Sequence, residues 1–372
     1  MRVLHINCNY LYTDLHQQMI RSLTATGVES TVFAPMSKLG NARITPDDNV
    51  IAVECFNKLD RFSFYHKQSR IYKALCGSIS VKDFDIIHAY TLFTDGNVAY
   101  RLNRQYGIPY VVAVRNTDVN TFFKYRPYLK GRALKIFKNA SAIFFLSEKY
   151  RDRVYRKYVP ADMLAELENK THVIPNGIDS VWLHSSRSKT APEGKAVSLV
   201  YAGAIDKNKN ALTTAKACER LISEGYTVDF TVVGSVHDQS VYQKLQKYSF
   251  VHCYPRKTKQ ELIELYKTKD IFVMPSFYET FGLVYAEAIS QGLPVIYSRG
   301  QGFDGQFPEG HVGYSTDSSD AGGIADAVVR ILEDYGNMSV RCMESCGRFS
   351  WSKIASEYEL IYTKIKKGET IE

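Results

Sequence analysis

The chain has 372 residues, which exceeds the roughly 250–300 residues at which one hydrophobic core stops growing, so we expect two domains. Apolar residues make up 45% and charged residues 23% of the chain. These proportions exclude a disordered or fibrous chain, and no run approaches the roughly 18 apolar residues of a membrane-spanning helix. The net charge is +8, and the positive excess lies in residues 1–175, which hold 25 basic and 15 acidic side chains, whereas residues 176–372 hold 22 and 24.

Seven cysteines are scattered along the chain without a CxxC pair. This distribution is typical of a reducing compartment and argues against both a disulfide scaffold and a zinc ribbon. The opening stretch, MRVLHINCNY, predicts a buried strand and lacks the apolar core and small-residue cleavage site of a secretory signal. We therefore expect a cytoplasmic protein.

Short strands alternate with helices in the first half of the chain. Helical patterns over His16–Ala25 and Asn97–Tyr106 are each followed by a glycine and then by a strand, which is the usual punctuation of βα units. The predicted strands are Val3–Ile6, Glu29–Ala34, Val50–Cys55, Ile86–Ala89, Tyr110–Val114, Ala142–Leu146 and His172–Ile174. This alternation predicts a parallel, doubly wound sheet in an amino-terminal domain of residues 1–175.

The positive charge is concentrated in residues 121–157, which hold 11 basic and 2 acidic side chains interleaved with Phe and Tyr. One interpretation is a solvated helical face. Another is attraction to an anionic membrane surface, which would place the protein at the inner membrane face, or to a phosphate-bearing acceptor. Nucleic acid is disfavoured because no RNP sequence, helix-turn-helix or zinc finger accompanies the charge. The first two interpretations stay open.

A second βα alternation follows residues 175–196, which are rich in Ser, Gly, Pro and Lys and predict a linker. We expect a second Rossmann-like domain over residues 176–348. A C-terminal helix in residues 349–372 has one apolar face and should pack on the amino-terminal domain. The predicted strands are Val197–Ala202, Asp229–Val233, Val251–Tyr254, Ile271–Met274 and Pro294–Ser298, with helices near Leu212–Glu224, Gln239–Lys247, Lys259–Thr268 and Leu283–Gln291.

Residues 275–296, PSFYETFGLVYAEAISQGLPVI, carry the most informative pattern. A buried strand ends before Pro275, and a helix opens after a polar loop, so that Glu279 precedes the helix and Glu287 lies one to two turns inside it. The free N–H groups of the first turn form an anion site, and they belong to Phe281, Gly282 and Leu283. An anion site beside two carboxylates suits a sugar phosphate. The structural alternative is that Glu279 only caps the helix and that Glu287 is a surface residue.

This segment, P-S-x-x-E-x-F-G-L-V-x-x-E-A-x-x-x-G-x-P-V, resembles the signature of the retaining GT-B glycosyltransferases of family 4. Further stretches agree with that family in order and placement: DFDIIHAY (83–90), IPNGID (174–179), YAGAIDKNKN (201–210), FTVVG (230–234) and FSW with a terminal IY (349–362). The resemblance implies an α/β GT-B fold, in which two Rossmann-like doubly wound domains face each other across a cleft.

The same resemblance implies roles for the site residues. The carboxyl-terminal domain would hold a UDP- or GDP-sugar, with Glu279 on the sugar hydroxyls and Glu287 on the ribose. The backbone of residues 281–283 and of Gly203 would meet the sugar or the diphosphate. Lys209 would neutralise the departing diphosphate, a role that needs no metal or other cofactor. The amino-terminal domain would hold a glycan or lipid-linked glycan acceptor.

The chain also departs from the family pattern. The family often places an Arg after the glycine of the first carboxyl-domain strand, where this chain has Ala204, and Lys207 is the substitute that we predict. The usual Gly-Gly loop after the first strand reads Asn-Cys-Asn-Tyr here. At the end of the strand YVVAV, many members carry a His, whereas this chain continues with Arg-Asn-Thr-Asp. The cleft candidates at this position in the amino-terminal domain are therefore Arg115, Asn116 and Asp118. His88, at the end of another predicted strand, is a further candidate.

Two further motifs are weak. GQGFDG (300–305) matches a dinucleotide fingerprint, but Pro308 and Gly310 follow it, so no phosphate-binding helix is expected there. DFD (83–85) resembles a metal-binding D-x-D, yet it precedes a buried strand and is better explained as solvated acids at a strand entry.

We expect a metal-independent, retaining hexosyl- or N-acetylhexosaminyl-transferase in cell-surface polysaccharide biosynthesis. The alternatives are a sugar-nucleotide epimerase of the same fold and a catalytically silent nucleotide-sugar-binding subunit.

Overall fold

The computed structural model describes residues 1–37, 42–57 and 59–369 and divides into two compact α/β units. The first unit comprises Met1–Leu146, Arg151–Pro175 and Trp351–Glu372, and the second comprises Ser147–Tyr150 and Asn176–Ser350. After β6 (Ala142–Phe145), the chain thus enters the second unit for four residues and returns to the first unit at residue 151. It enters the second unit again at residue 176.

The first unit is built on a seven-stranded parallel sheet with the order β3-β2-β1-β4-β5-β6-β7. The central strand β1 pairs with both β2 and β4, and Leu4 lies between Thr31 and Ile87. The chain reverses its winding direction between β1 and β4, where ligands of such sheets bind at the carboxyl ends. The strands are β1 (Arg2–Ile6), β2 (Glu29–Met36), β3 (Val50–Glu54), β4 (Ile86–Ala89), β5 (Tyr110–Ala113), β6 and β7 (Thr171–Val173).

Helices cover this sheet on both faces, as a doubly wound fold requires. Gly107 ends α3 in a left-handed conformation with φ 73°, which a glycine adopts without a steric penalty. The helices are α1 (Asp14–Ala25), α2 (Phe64–Ser78), α3 (Thr94–Tyr106), α4 (Lys130–Asn139), α5 (Glu148–Tyr158), α6 (Ala161–Glu168) and, after the whole second unit, α14 (Trp351–Lys367).

The last helix, α14, is part of the first unit. Its apolar face is buried with α1 in the main core of that unit. Trp351 donates a hydrogen bond from its indole N–H to Gln18 on α1 (2.9 Å), and Tyr362 lies against His88 on β4 (2.5 Å). The unit begins this segment at residue 351 rather than at the predicted 349.

The second unit is built on a six-stranded parallel sheet with the order β10-β9-β8-β11-β12-β13, which reverses between β8 and β11. A capping box between Thr258 and Glu261 starts α10. The strands are β8 (Ala196–Ala202), β9 (Thr227–Val233), β10 (Val251–Tyr254), β11 (Ile271–Val273), β12 (Val295–Ser298) and β13 (Gly313–Thr316). The helices are α7 (Ser180–His184), α8 (Ala211–Ser223), α9 (Gln239–Leu245), α10 (Lys259–Lys267), α11 (Leu283–Ser290), α12 (Ala321–Glu333) and α13 (Tyr335–Ser345).

The prediction of a linker over residues 175–196 is wrong. Residues 176–195 belong to the second unit and contain α7. Trp182 on this helix is fully buried, and its ring lies 5.7 Å from that of Tyr266 on α10. Serine and proline in this stretch indicate turns, but one large aromatic side chain is enough to fix the segment to a core.

No helix in the described part of the chain is long and apolar enough to cross a membrane.

Candidate active site

The candidate site lies at the carboxyl edge of the second sheet, where β8 and β11 end beside each other. Gly203 follows β8 and donates its N–H to the carbonyl of Val233 (2.9 Å). At the end of β9, a Cβ on Gly234 would lie 1.7 Å from the Gly203 carbonyl oxygen. Only glycine therefore fits at 234, and the absence of its side chain lets the two strand ends approach.

Lys209 and Glu279 meet at this edge, although 70 positions separate them. The ammonium of Lys209 donates to the Oε2 atom of Glu279 at 2.5 Å. The Lys209 side chain is 25% exposed and the Glu279 side chain 13%, so both charges are shielded from water and accessible to a ligand. The Lys209 backbone is fixed as well, because its N–H donates to Asp206 (2.8 Å).

Two asparagines hold the loop that carries Glu279 against the loop that carries Lys209. Asn208 bonds Tyr278 twice, accepting from its N–H (3.0 Å) and donating to its carbonyl (3.1 Å). Asn210 donates to the carbonyl of Pro275 (3.0 Å). Its backbone is left-handed at φ 61°, a conformation that asparagine tolerates better than most residues.

The GQGFDG loop holds Glu279 from the other side. The side-chain oxygen of Gln301 accepts from the Glu279 N–H (3.0 Å), and the Gly302 N–H donates to the Glu279 carbonyl (2.9 Å). A Cβ on Gly302 would lie 2.1 Å from the carbonyl carbon of Thr280. No helix follows this loop until α12, so it positions the glutamate loop rather than opening a phosphate-binding helix.

The helix α11 begins immediately after the glutamate loop. Gly282 is its N-cap in a left-handed conformation with φ 81°, and a Cβ there would lie 2.4 Å from the ring of Tyr285. The Phe281 side chain is buried against Phe349, with ring centroids 5.8 Å apart. The first helical N–H is therefore that of Leu283, at a helix start where the peptide dipoles favour an anion. Phe281 precedes the N-cap, so its N–H lies outside the first turn, contrary to the prediction.

A cavity of about 760 Å³ adjoins this edge of the sheet. Gly203 and Glu287 line it, so the structure brings these two candidates together. Four basic residues that were not predicted also line this cavity. His237 follows β9, Arg256 and Lys257 connect β10 to α10, and Lys259 begins α10. The signal was the run R-K-T-K directly after a strand. Trp182 also lines the cavity.

Lys207, Lys209 and Glu279 are not among the residues that line this cavity. The Lys207 side chain is 81% exposed, and its ammonium lies 3.8 Å from Asp238. The structure therefore places this predicted donor-binding residue on the surface beside the site, while Lys209 is the lysine of the same loop that contacts Glu279.

In the first unit, Asp118 ties together the loops that follow β4 and β5. Its fully buried carboxylate accepts from the N–H groups of Leu92 (3.0 Å), Phe93 (3.1 Å) and Arg115 (2.8 Å). Burial raises the pKa of Asp118 to about 6, although the three backbone donors oppose that rise. Asn116 is exposed and bonds Asn120. The polar candidates here organise the carboxyl edge of the first sheet.

Asp95, which the sequence analysis missed, makes a similar connection between the loops after β1 and β4. Its buried carboxylate accepts from the Thr91 hydroxyl (2.9 Å) and from the Cys8 N–H (3.2 Å). Burial raises the pKa of Asp95 to about 7, a value near which a carboxyl group exchanges protons at physiological pH. An acidic residue in the first turn of a helix is common, so the position of Asp95 in α3 gave no sequence signal of this role.

His88 lies in the core of the first unit rather than at a solvent-accessible edge. Its ring is stacked on Tyr90, with centroids 4.2 Å apart, and it is fully buried. Burial lowers the pKa of His88 well below its ordinary value, so the ring is neutral. This environment supports a structural role.

Within the described residues there is no group of three His, Cys, Asp or Glu side chains that could hold a metal ion. The acidic pair at 83–85 serves the strand entry instead. Asp85 accepts from the Arg2 N–H (2.8 Å) and from Lys366 on α14 (3.0 Å).

The site of the second unit therefore combines three elements: a shielded carboxylate–ammonium pair, a helix amino terminus and a cavity with basic walls. The carboxylate suits hydroxyl groups, and the lysine and the helix terminus suit negative charge. Such an arrangement can bind a sugar linked to a diphosphate and stabilise charge on the diphosphate.

Two family models match consecutive parts of the chain. Residues 17–181 match the family model described as Glycosyltransferase Family 4, and residues 184–346 match Glycosyl transferases group 1. Glycogen synthase of Mycobacterium tuberculosis is 25% identical over 307 residues, which cover 77% of this chain and 70% of that protein. D-inositol 3-phosphate glycosyltransferase of Corynebacterium diphtheriae is 33% identical over 106 residues, covering 28% and 25%.

Solved structures share the fold over almost the full length. Sucrose-phosphate synthase from Thermosynechococcus elongatus superposes with a TM-score of 0.77 at 18% identity, covering 99% of this chain and 100% of that one. HepE of Anabaena in complex with UDP and glucose gives 0.68 at 15% identity, covering 98% and 100%. The fold is thus GT-B, as predicted. With two family models that together span residues 17–346 apart from a two-residue gap, the chain belongs to the family 4, group 1 glycosyltransferases.

Proposed function

We propose that this glycosyltransferase transfers a hexosyl or N-acetylhexosaminyl group from a UDP- or GDP-sugar, with retention of configuration and without a metal ion. The observation that carries the proposal is the Lys209–Glu279 contact (2.5 Å) just before α11, the helix on which Glu287 lines the cavity. Solved structures of the same fold hold UDP with glucose, and UDP-glucose. They support a UDP-sugar as the first donor to test.

Each part of the site has a role in this proposal. Glu279 accepts hydrogen bonds from the sugar hydroxyls, and Glu287 accepts them from the ribose. Lys209 and the first-turn N–H groups of α11 stabilise the charge that develops on the diphosphate as it leaves. The first-turn N–H groups are fixed by the helix, so they need little reorganisation in the transition state, whereas Lys209 has to turn from Glu279 towards the diphosphate.

The reaction exchanges one bond at the anomeric carbon for another on the same face of the sugar. The bond from that carbon to the diphosphate oxygen breaks, and a bond to the acceptor hydroxyl oxygen forms. The hydroxyl proton passes to the departing diphosphate, so charge and atoms balance without an enzymic nucleophile. The anionic diphosphate then holds the proton while Lys209 holds the diphosphate.

We further propose that the acceptor is a glycan or lipid-linked glycan of cell-surface polysaccharide biosynthesis, bound by the first unit. An epimerase or a silent binding subunit are the alternatives. An epimerase would convert a nucleotide-sugar without an acceptor. A silent subunit would bind the donor but not consume it.

The test measures donor binding and turnover separately. A panel of UDP-, GDP- and ADP-sugars is screened for the shift that each causes in the melting temperature, since a ligand that binds only the folded state raises it. The donor that shifts most is then incubated with glycan acceptors, and the anomeric configuration of the product is determined by NMR. A product of inverted configuration, or donor conversion without any acceptor, would contradict the proposal.

The matched variants are Glu279→Gln and, on the exposed surface of α10, Glu264→Gln. Loss of one charged group at the reacting sugar should lower kcat by about 10²-fold or more, while the control retains full activity. Activity of the Glu279 variant within about threefold of the original enzyme would remove this residue from the reaction.

A further inference from the structure

Large apolar side chains are exposed together on one surface of the first unit. In the part of this unit that the structure describes, six are exposed, and five of them lie in two segments, 59–65 and 125–128. They are Leu59, Phe62, Tyr65, Tyr125 and Tyr128, with exposures between 51% and 86%. The sixth, Leu360, is on α14. Such a concentration of exposed apolar area marks an interaction surface more often than chance.

Ring contacts join the two segments into one surface. The rings of Phe64 and Phe122 lie 6.0 Å apart. The guanidinium of Arg132 lies 5.6 Å from the ring centre of Tyr65, so α4 and the start of α2 are neighbours. We call this surface the aromatic–basic patch, and it consists of the five exposed apolar residues with Lys124, Arg126, Lys130 and Arg132.

The surroundings of the patch are strongly positive. Residues 59–73 and 121–139 together hold ten basic side chains and one acidic one. That acid, Asp60, is buried and accepts from Arg70 at 2.9 Å, so it offsets the charge of Arg70 and leaves nine basic side chains. The exposed aromatic rings of these two segments therefore lie among an excess of basic side chains.

Buried neighbouring side chains hold the segments that carry the exposed rings. Phe64, Phe123 and Leu129, which alternate with them along the chain, are buried. Phe93 of the core stacks on Phe122 with ring centres 4.8 Å apart and an interplanar angle of 14°. The patch is thus a fixed surface, so binding it to a flat partner orders few additional residues.

We propose that the aromatic–basic patch binds the headgroup region of an anionic membrane. Tyr and Phe side chains prefer the interface between headgroups and acyl chains, and each Lys or Arg near an anionic surface adds attraction that salt screens. A solvated helical face would explain the charged side chains. It would not explain the five exposed apolar side chains that lie among them. The sequence pattern left both interpretations open, and the joining of residues 59–65 to this surface favours the membrane.

The experiment is sedimentation of the full chain with vesicles, in low salt and in salt of about 0.5 M, where the Debye length falls below about 5 Å. One set of vesicles is pure phosphatidylcholine, and the other contains about one third phosphatidylglycerol. We expect sedimentation with the anionic vesicles only, and release by salt. Because no donor or acceptor is present, the result does not depend on the proposed reaction.

Two variants locate the binding surface. Replacing Lys124, Arg126, Lys130 and Arg132 by Gln should lower the vesicle partition coefficient by about 10²–10³-fold, given a loss of roughly fivefold for each cation. Its control carries the same loss of charge at four exposed lysines elsewhere: Lys216, Lys244, Lys247 and Lys353. The second variant, Phe62→Ser with Tyr128→Ser, should weaken partition by about tenfold. Its control is Leu360→Ser with Ile222→Ser.

Several outcomes would overturn the proposal. A chain that ignores anionic vesicles in low salt has no such surface. Equal losses in the patch variant and in its charge control would mean attraction by net charge alone. Binding to double-stranded DNA without binding to vesicles would assign the charge to nucleic acid. Melting curves of each variant establish that it is folded, and donor-induced shifts show that the second unit is intact.

Discussion

The loop that carries Glu279 is held by the GQGFDG loop, and this support is open to a direct test. Replacing Gln301 with Ala removes the acceptor of the Glu279 N–H. The loss of one such hydrogen bond costs about 1 kcal/mol in the free energy of unfolding. The effect on the reaction should be larger, because a shift of a catalytic group by about 1 Å can cost 10²-fold in rate. We expect kcat to fall between 10-fold and 100-fold, on the order of such a displacement.

Gly302→Ala perturbs the same support by a different route. The new methyl group would lie 2.1 Å from the Thr280 carbonyl carbon and 2.3 Å from the Phe281 nitrogen. Both are backbone atoms that no side-chain rotation can move, so the glutamate loop has to shift. Overpacking of this kind costs about 1–3 kcal/mol. We expect kcat to fall at least as far as in Gln301→Ala.

Three glycines provide matched controls. A Cβ on Gly336 or Gly347 meets no atom within 4 Å, so Ala there should leave kcat unchanged. Gly300 also has open space but a φ of +72°. Ala at that position costs about 1–2 kcal/mol in backbone strain without a clash. This variant therefore shows the effect of backbone strain when the glutamate loop is not displaced.

Steady-state transfer kinetics and thermal unfolding are measured for all five variants. The donor KM should change little in Gln301→Ala, because the nucleotide contacts expected at Glu287 lie elsewhere in the cavity. A folded Gly302→Ala enzyme with the original kcat would refute the reasoning, since Glu279 would then tolerate movement of its loop.

Three further predictions concern other parts of the chain. Addition of EDTA should leave the transfer rate unchanged, because Lys209 and the α11 terminus stabilise the diphosphate in the proposed reaction; loss of activity that Mn²⁺ or Mg²⁺ restores would contradict this. Burial raises the pKa of Asp95 from 3.8 to about 7. The contribution of the Asp95 carboxyl group to the free energy of unfolding is therefore fully present below pH 3.8, and it is lost as the pH rises towards 7. The melting temperature of Asp95→Asn relative to the original chain should therefore increase between about pH 5 and pH 8, and a constant difference would argue against a raised pKa. Trp182→Ala should destabilise the second unit by about 3–5 kcal/mol in urea unfolding, because a fully buried indole is removed; an effect below about 1 kcal/mol would restore the linker interpretation.

The central strands of both sheets could be predicted because each is a short, buried, apolar run between turn residues. The central strand β4 has the predicted bounds, and so does β10, a partly exposed edge strand. The edge strand β13 was missed because Gly-Tyr-Ser-Thr has no such run. A Cβ on its first residue, Gly313, would lie 1.8 Å from the Val295 carbonyl oxygen. The close pairing with β12 that requires this glycine is a tertiary property, and the local sequence does not reveal it.

Some residues of the candidate site could also be predicted from the sequence, and others could not. Glu279, Glu287 and Lys209 were predicted from a spacing pattern and a family resemblance. Asn208 and Gln301 were not, because each acts through a bond from its side chain to the backbone of a distant loop. Nothing in the residue type marks such a contact. The aromatic–basic patch shows the same limit: its charge is evident in residues 121–157, but the apolar residues 59–65 join it only through folding.

The pairing of Lys209 with Glu279 has a consequence for how the proposed reaction handles charge. The family Arg position is Ala204, and Lys207 lies on the surface beside Asp238, so Lys209 is the cation of this loop that reaches the site. Its charge is already balanced by Glu279 (2.5 Å). A diphosphate that draws Lys209 towards itself would leave Glu279 free to accept the sugar hydroxyls. Donor binding and sugar recognition would therefore be coupled through one ion pair. The remaining negative charge would be shared between the α11 terminus, whose dipole contributes roughly half a positive charge, and the basic side chains that line the cavity.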